Sequence, residues 1–74
     1  MSTIGKELFK SLRLKYVSEI QSNRSTLLIY LNNSVGIGEH PEHIDEMDKL
    51  VTKMVEAHDK LDYLMEEFPN ELYK

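Results

Sequence analysis

The stretch from residue 44 to residue 68 constrains the fold more than any other part of the chain. Apolar residues recur there at steps of three and four, which is the spacing of a helix that packs along one side. One histidine interrupts the series, whose members are Ile44, Met47, Val51, Met54, His58, Leu61, Met65 and Phe68. They alternate between heptad positions a and d, beginning with Ile44 at a. A seam sustained over four heptads predicts a helix that contacts another helix along its length, so we predict these eight residues as an interface.

Other apolar residues of the same helix widen this face beyond two positions per heptad, namely Leu50, Val55, Ala57 and Leu64. A face of this width is wider than one partner helix can cover, so a lone hairpin would leave part of it exposed to water. The pattern therefore predicts an all-α fold in which an antiparallel two-helix hairpin dimerises into a four-helix bundle. The expected partner is a second copy of the chain.

A second apolar stripe, in the first half of the chain, predicts the other helix of the hairpin. Its members are Leu8, Phe9, Leu12, Tyr16, Ile20, Leu27 and Leu31. Thr3 can cap the start of this helix, and Ser2 is the alternative cap. The polar segment 21–26 contains poor helix formers, so a continuous, a kinked and a broken helix all fit. The stripe keeps its phase across this segment, which favours the continuous helix.

The 74 residues are predicted to form one domain of four segments: a helix over about 4–31, a loop over 32–40, a helix over about 41–68 and a tail over 69–74. Gly36 and Gly38 permit a sharp turn in the loop. Pro41 suits the first position of the second helix, which makes His40 its N-cap. Pro69 ends that helix because proline has no N–H to donate.

Charge is divided unevenly along the chain. Residues 1–34 carry five basic and two acidic residues, a net charge of +3, whereas residues 35–74 carry four basic and eleven acidic residues, a net charge of −7. We interpret this as a basic helix against an acidic helix, within the hairpin or across a dimer, since opposite charges help to fix pairing. The alternatives are a basic face for a phosphate or an acidic partner, and an acidic face that mimics nucleic acid.

The composition argues against several other classes of protein. The chain has no cysteine, which rules out disulfides and thiolate metal sites. Its net charge of −4 argues against direct binding of nucleic acid. No apolar run approaches the roughly 20 residues that span a bilayer, and the N-terminus has no signal-peptide core. We therefore expect no membrane association and a cytoplasmic location.

One cluster of metal-ligand residue types surrounds the start of the second helix. His40, His43 and Glu46 follow one another at three-residue steps, and imidazole and carboxylate at this spacing could chelate zinc or another divalent ion. Acidic residues are also expected at a helix start, where they meet the positive end of the helix dipole. We favour a solvated helix start and expect no metal, with His40, His43 and Glu46 as the candidate ligands if one binds.

His58, at an a position of the seam, has two interpretations. In a bundle core its protonation would introduce a buried charge, which would make it a pH switch. Alternatively it sets the register of the bundle, hydrogen-bonded to its counterpart or to a neighbour such as Asp62, one turn on. We favour the second interpretation because single polar a residues commonly have this role.

The sequence contains no residue pattern for catalysis. It has no nucleophile paired with a base and no cofactor motif, and Gly36 and Gly38 lack the third glycine and the preceding strand of a dinucleotide fingerprint. The carboxylates also lack the Glu-x-x-His pairs of a di-metal bundle. We therefore predict that the chain is not an enzyme and needs no cofactor.

The segment 33–41, Asn-Ser-Val-Gly-Ile-Gly-Glu-His-Pro, precedes an acidic heptad helix that includes Asp59-Lys60-Leu61. This combination resembles a group of small helical proteins encoded by tailed bacteriophages of marine cyanobacteria. The resemblance covers roughly residues 27–62 and implies a phage origin, with no established activity and no catalytic residues to carry over. Small phage products of this kind are often virion accessories or binders that redirect a host protein.

The leading functional prediction is a small protein–protein interaction protein. It would act as a scaffold or adaptor that forms a homodimer and binds a host or virion protein. The alternatives are a metal-binding helical protein and an acidic mimic of nucleic acid. If the chain is phage-encoded, its expected location is the host cytoplasm.

Overall fold

The computed structural model describes residues 1–32 and 42–69, and two long α-helices account for almost all of them. The first helix, α1, covers Thr3–Asn32, and the second helix, α2, covers Glu42–Glu67. The two helices pack against each other, and no strand occurs within the described ranges. The predicted all-α hairpin is therefore confirmed. The predicted turn residues 33–41 and the tail residues 70–74 lie outside the described part of the chain.

The start of α1 is capped by Ser2. The backbone N–H of Gly5 donates to Ser2 Oγ at 3.0 Å, and the N–H of Lys6 donates to the Ser2 carbonyl oxygen at 2.8 Å. Thr3 is instead the first helical residue, which places its own hydroxyl past the capping position. Of the two caps considered from the sequence, the structure therefore selects Ser2, because a cap must precede the first helical residue.

Removing this cap is expected to destabilise the helix end. Ser2→Ala should lower the free energy of unfolding by about 1 kcal/mol, because the Gly5 N–H loses its acceptor. Ser2→Asp, which keeps an acceptor oxygen, should stay within a few tenths of a kcal/mol of the original chain. Urea denaturation followed by circular dichroism measures both variants, and equal losses of stability in the two would contradict the capping role.

The polar segment in the middle of α1 does not break it. Asn23 Nδ2 donates to the Glu19 carbonyl oxygen at 2.6 Å, and Thr26 Oγ1 donates to the Ser22 carbonyl oxygen at 3.1 Å. Both bonds reach back one turn along the same helix, so these side chains do not pull the backbone into a competing turn. α1 is continuous as a result, which was the favoured outcome among the three that the sequence allowed.

The two helices meet along one face of each, which we call the packed face. In α2 the buried or half-buried residues follow alternating steps of four and three: His43, Met47, Leu50, Met54, Ala57, Leu61 and Leu64. In α1, Gly5 and Glu19 are half-buried, and the other half-buried residues follow the same steps: Phe9, Arg13, Tyr16, Ile20, Asn23, Leu27 and Tyr30. Steps of four and three are those of coiled-coil packing. Only Ala57, at 1% exposure, and Leu64, at 9%, are buried among the described residues.

Three contacts between the helices fix their antiparallel register. The rings of Phe9 and Phe68 meet edge to face at 5.9 Å, near the first turns of α1 and the last turn of α2. Further along, the Lys60 ammonium lies 5.8 Å from the centre of the Tyr16 ring. Tyr30, near the end of α1, meets His43, near the start of α2, with ring centres 5.5 Å apart. The antiparallel register is therefore the same along the length of both helices.

Candidate protein-interaction surface

The eight residues predicted as an interface divide into two groups with different surroundings. Three of the d positions, Met47, Met54 and Leu61, are half-buried in the packed face. The fourth, Phe68, is 46% exposed and contacts the ring of Phe9. The a positions lie outside that face, and the apolar ones among them are largely exposed: Ile44 at 60%, Val51 at 43% and Met65 at 40%. Within one chain α1 therefore covers only one side of the predicted seam. The contact of the other side with a second protein stays a prediction.

The exposed a positions form one edge of α2, which we call its outer edge: Ile44, Val51, His58 and Met65. α1 has a matching set at the same seven-residue spacing, which we call the outer edge of α1: Lys10, Val17, Arg24 and Leu31. The outer edge of α2 is apolar apart from one histidine, whereas that of α1 alternates cationic and apolar side chains. All eight residues are exposed in the chain.

Both outer edges lie on the same side of the hairpin. Every member of an outer edge directly follows a residue of the packed face, as Lys10 follows Phe9. In a pair of antiparallel helices, residues one step after the packed positions project to one side of the pair, and residues one step before them project to the other side. Leu12, Lys60 and Tyr63 each precede a packed residue, and they line one groove together on that other side. We call the side that carries the two outer edges the outer face.

The sequence pattern did not identify the outer edge of α1. Hydrophobic spacing was the signal used, and Lys10 and Arg24 break an apolar series at this edge. The residues that directly follow Phe9 and Tyr16, continued at seven-residue spacing and counted whether polar or apolar, would have identified this edge. Four-helix bundles commonly carry charged residues at the rim of such edges, where the long side chains reach water.

The two helices differ strongly in charge. α1 has five basic and two acidic residues, a net charge of +3, and α2 has three basic and nine acidic residues, a net charge of −6. On α2, Asp48 and Asp62 lie one turn beyond Ile44 and His58, at the rim of the outer face. The outer face therefore combines two cationic residues in the outer edge of α1, an acidic rim on α2, and the apolar residues of both outer edges.

Ion pairs between lysines and carboxylates are local to each helix in the described residues. Lys15 pairs with Glu19 at 3.6 Å, and Lys10 pairs with Glu7 at 3.8 Å. All four side chains are at least 40% exposed, so these pairs contribute little to stability. The attraction of a basic helix for an acidic one therefore stays a prediction, and the contact of the Lys60 ammonium with the Tyr16 ring joins the two helices with the cation on α2.

The candidate metal ligands do not form a site within the described residues. His43 packs edge to face against the ring of Tyr30, and Glu46 accepts a hydrogen bond from Lys49 Nζ at 3.2 Å. His40 lies outside the described residues. Over residues 1–32 and 42–69, no three His, Asp or Glu side chains are arranged to hold a metal ion. The surroundings of His43 and Glu46 are those of helix packing and of a solvated helix surface.

The groove on the side opposite the outer face is mainly apolar and shallow. The residues that line it are Leu12, Tyr16, Asp59, Lys60, Tyr63 and Leu64. The structure places Tyr16 partly within the packed face and leaves Tyr63 exposed.

Comparison of the chain with known protein families, with curated proteins and with solved structures found no match. The resemblance to small phage proteins therefore stays a prediction, and the loop that carries it lies outside the described residues. Neither α1 nor α2 contains an apolar stretch of the length and hydropathy needed to cross a membrane.

Proposed function

We propose that the chain is a homodimeric protein-interaction module, in which two hairpins associate through their outer faces into a four-helix bundle. The observation that carries this proposal is the outer edge of α2, four residues about two helical turns apart that are apolar apart from His58 and that α1 leaves exposed. Helices in four-helix bundles contact two neighbours and so need an apolar face wider than one contact requires. α2 has such a face, and its intrachain contact uses only part of it.

The small core of the single chain supports the same proposal. Two residues are buried among those described, whereas Ile44, Val51, Val55 and Met65 expose much of their apolar surface on α2 alone. Burial of such surface stabilises a protein by roughly 25 cal/mol per Å². A chain of this size has a core that is barely sufficient, and association with a second copy is a common remedy.

The resemblance to phage-encoded proteins supports a role for this module in an infected host cell. The dimer then serves as a scaffold or adaptor in the host cytoplasm, where it binds a host or virion protein. The groove beside Tyr63 stays outside the dimer contact and offers an apolar surface on each chain for such a protein. No metal, cofactor or catalytic step is part of the proposal.

The test is the molar mass in solution, measured by light scattering after size exclusion over a wide range of protein concentration. The expected mass is twice the 8.7 kDa of one chain. Circular dichroism on the same samples should show high helicity throughout. A folded chain that stays monomeric at the highest concentration would overturn the proposal, because the outer face would then be exposed to water in the stable form.

A further inference from the structure

The charges of the two helices bear on how two copies would be arranged. Two hairpins that meet through their outer faces can close a bundle with two-fold symmetry in two ways. In the crossed arrangement the axis runs parallel to the helices, and α1 of each chain lies on α2 of the other. In the like-on-like arrangement the axis runs across the helices, and α1 lies on α1 and α2 on α2. Both arrangements make all neighbouring helices antiparallel.

We infer that the dimer adopts the crossed arrangement, with Lys10, Val17, Arg24 and Leu31 of one chain against the outer edge of α2 in the other. This inference rests on the proposed homodimer. The like-on-like arrangement would place the −6 charge of α2 against an equal charge. The crossed arrangement places the +3 helix against the −6 helix at both contacts between the chains. Like charges across an interface oppose association, and opposite charges favour it.

The register of the hairpin places the members of the two outer edges at matching heights, so no shift of one chain along the other is needed. A two-fold rotation about an axis parallel to the helices leaves every residue at its own height along the bundle. The contacts of Phe9 with Phe68 and of Tyr30 with His43 therefore also set the heights of facing residues in the two chains. Because both outer edges have seven-residue spacing, their members meet in opposite order: Lys10 with Met65, Val17 with His58, Arg24 with Val51, and Leu31 with Ile44.

The outer edge of α1 in one chain then brings its cations close to the acidic rim of α2 in the other. Lys10 lies near the height of Asp62, and Arg24 lies near the height of Asp48, each about one turn from the level position. The flexible side chains of lysine and arginine span such an offset easily. The existing contact of Lys10 with Glu7, at 3.8 Å on an exposed surface, is too weak to hold the ammonium away from the partner.

Disulfide trapping tests the arrangement directly, because the chain has no cysteine. A Val17→Cys chain mixed with a differently tagged His58→Cys chain should form a mixed disulfide dimer on mild oxidation. The control mixes Val17→Cys with Tyr63→Cys, whose cysteine lies on the opposite side of the hairpin and should not cross-link efficiently. A disulfide between Val51→Cys and His58→Cys chains, which requires α2 on α2, would overturn the inference.

Charge reversal provides a second readout that needs no cross-link. Asp48→Lys with Asp62→Lys should raise the dimer dissociation constant about tenfold or more in the crossed arrangement, because each rim contact becomes repulsive. In the like-on-like arrangement the same change relieves repulsion and would tighten the dimer, which would overturn the inference. Glu56→Lys with Glu67→Lys changes the net charge equally on the opposite side of α2 and is the matched control.

The two proposals fail in distinguishable ways. A wild-type chain that is dimeric by light scattering but gives the α2-on-α2 disulfide, or a tighter charge-reversed dimer, refutes only the crossed arrangement. A wild-type chain that stays monomeric refutes both the arrangement and the homodimer. A dimer that shows no Val17–His58 disulfide and no response to charge reversal at the rim also refutes the crossed arrangement.

Discussion

Leu64→Ala is expected to lower the free energy of unfolding by about 2 to 3 kcal/mol. Leu64 is one of two buried residues among those described, and its side chain lies between α1 and α2. Truncation removes apolar contacts and leaves a cavity, while the helix propensity of alanine is no worse than that of leucine. The loss is therefore one of packing between the helices. Urea denaturation followed by circular dichroism, at one fixed protein concentration, measures it.

The matched control for Leu64→Ala is Ile29→Ala. Ile29 is a large aliphatic residue of α1 that is largely exposed on the side facing away from α2. Its truncation should change the free energy of unfolding by no more than about 0.5 kcal/mol, as is usual for exposed positions. Equal effects of the two substitutions would mean that the packed face does not hold the hairpin together.

Val51→Lys is expected to raise the dimer dissociation constant by about 100-fold or more. Val51 lies in the middle of the outer edge of α2, so a dimer would bury the new ammonium twice, once from each chain. An ammonium without a partner in an apolar interface costs several kcal/mol, and part of this cost is avoided if the side chain reaches water. Sedimentation equilibrium over a range of concentrations measures the change.

The single chain should tolerate Val51→Lys, because Val51 is 43% exposed there and lies in a helix that accepts lysine well. Unchanged helicity at concentrations below the dissociation constant would show this. Tyr63→Lys is the control, since Tyr63 is exposed on the opposite side of the hairpin. A dissociation constant that changes with Tyr63→Lys and not with Val51→Lys would mean that the chains meet through the side opposite the outer face, and it would contradict the prediction.

Much of the fold could be predicted from local sequence signals. The apolar spacing from Ile44 onward predicts a helix because residues three and four apart share one helical face. Pro69 predicts its end, since a proline cannot donate the next hydrogen bond, and α2 ends just before it, at Glu67. The uninterrupted phase of the stripe from Ile20 to Leu27 favoured a continuous α1. Each of these signals concerns residues close in sequence, for which helix geometry alone sets the outcome.

The tertiary structure decided which side of α2 meets α1. Its apolar face is three heptad positions wide, so spacing alone allows the d positions to pair with the a positions or with the positions of Leu50, Ala57 and Leu64. The structure uses the second pairing. Ala57 is 1% exposed, and its small side chain leaves room for the facing helix, whereas the other pairing would place the larger imidazole of His58 at that contact.

The sequence by itself therefore determined that this chain forms two helices, where they end within a few residues, and that α2 is apolar over more than one edge. Only the tertiary structure decided that Ala57 and Leu64 form the buried contact, and that Ile44, Val51 and Met65 lie outside it. Helix formation depends on neighbours along the chain. The choice of a packed face depends on how closely two particular helix surfaces can approach, which spacing does not encode.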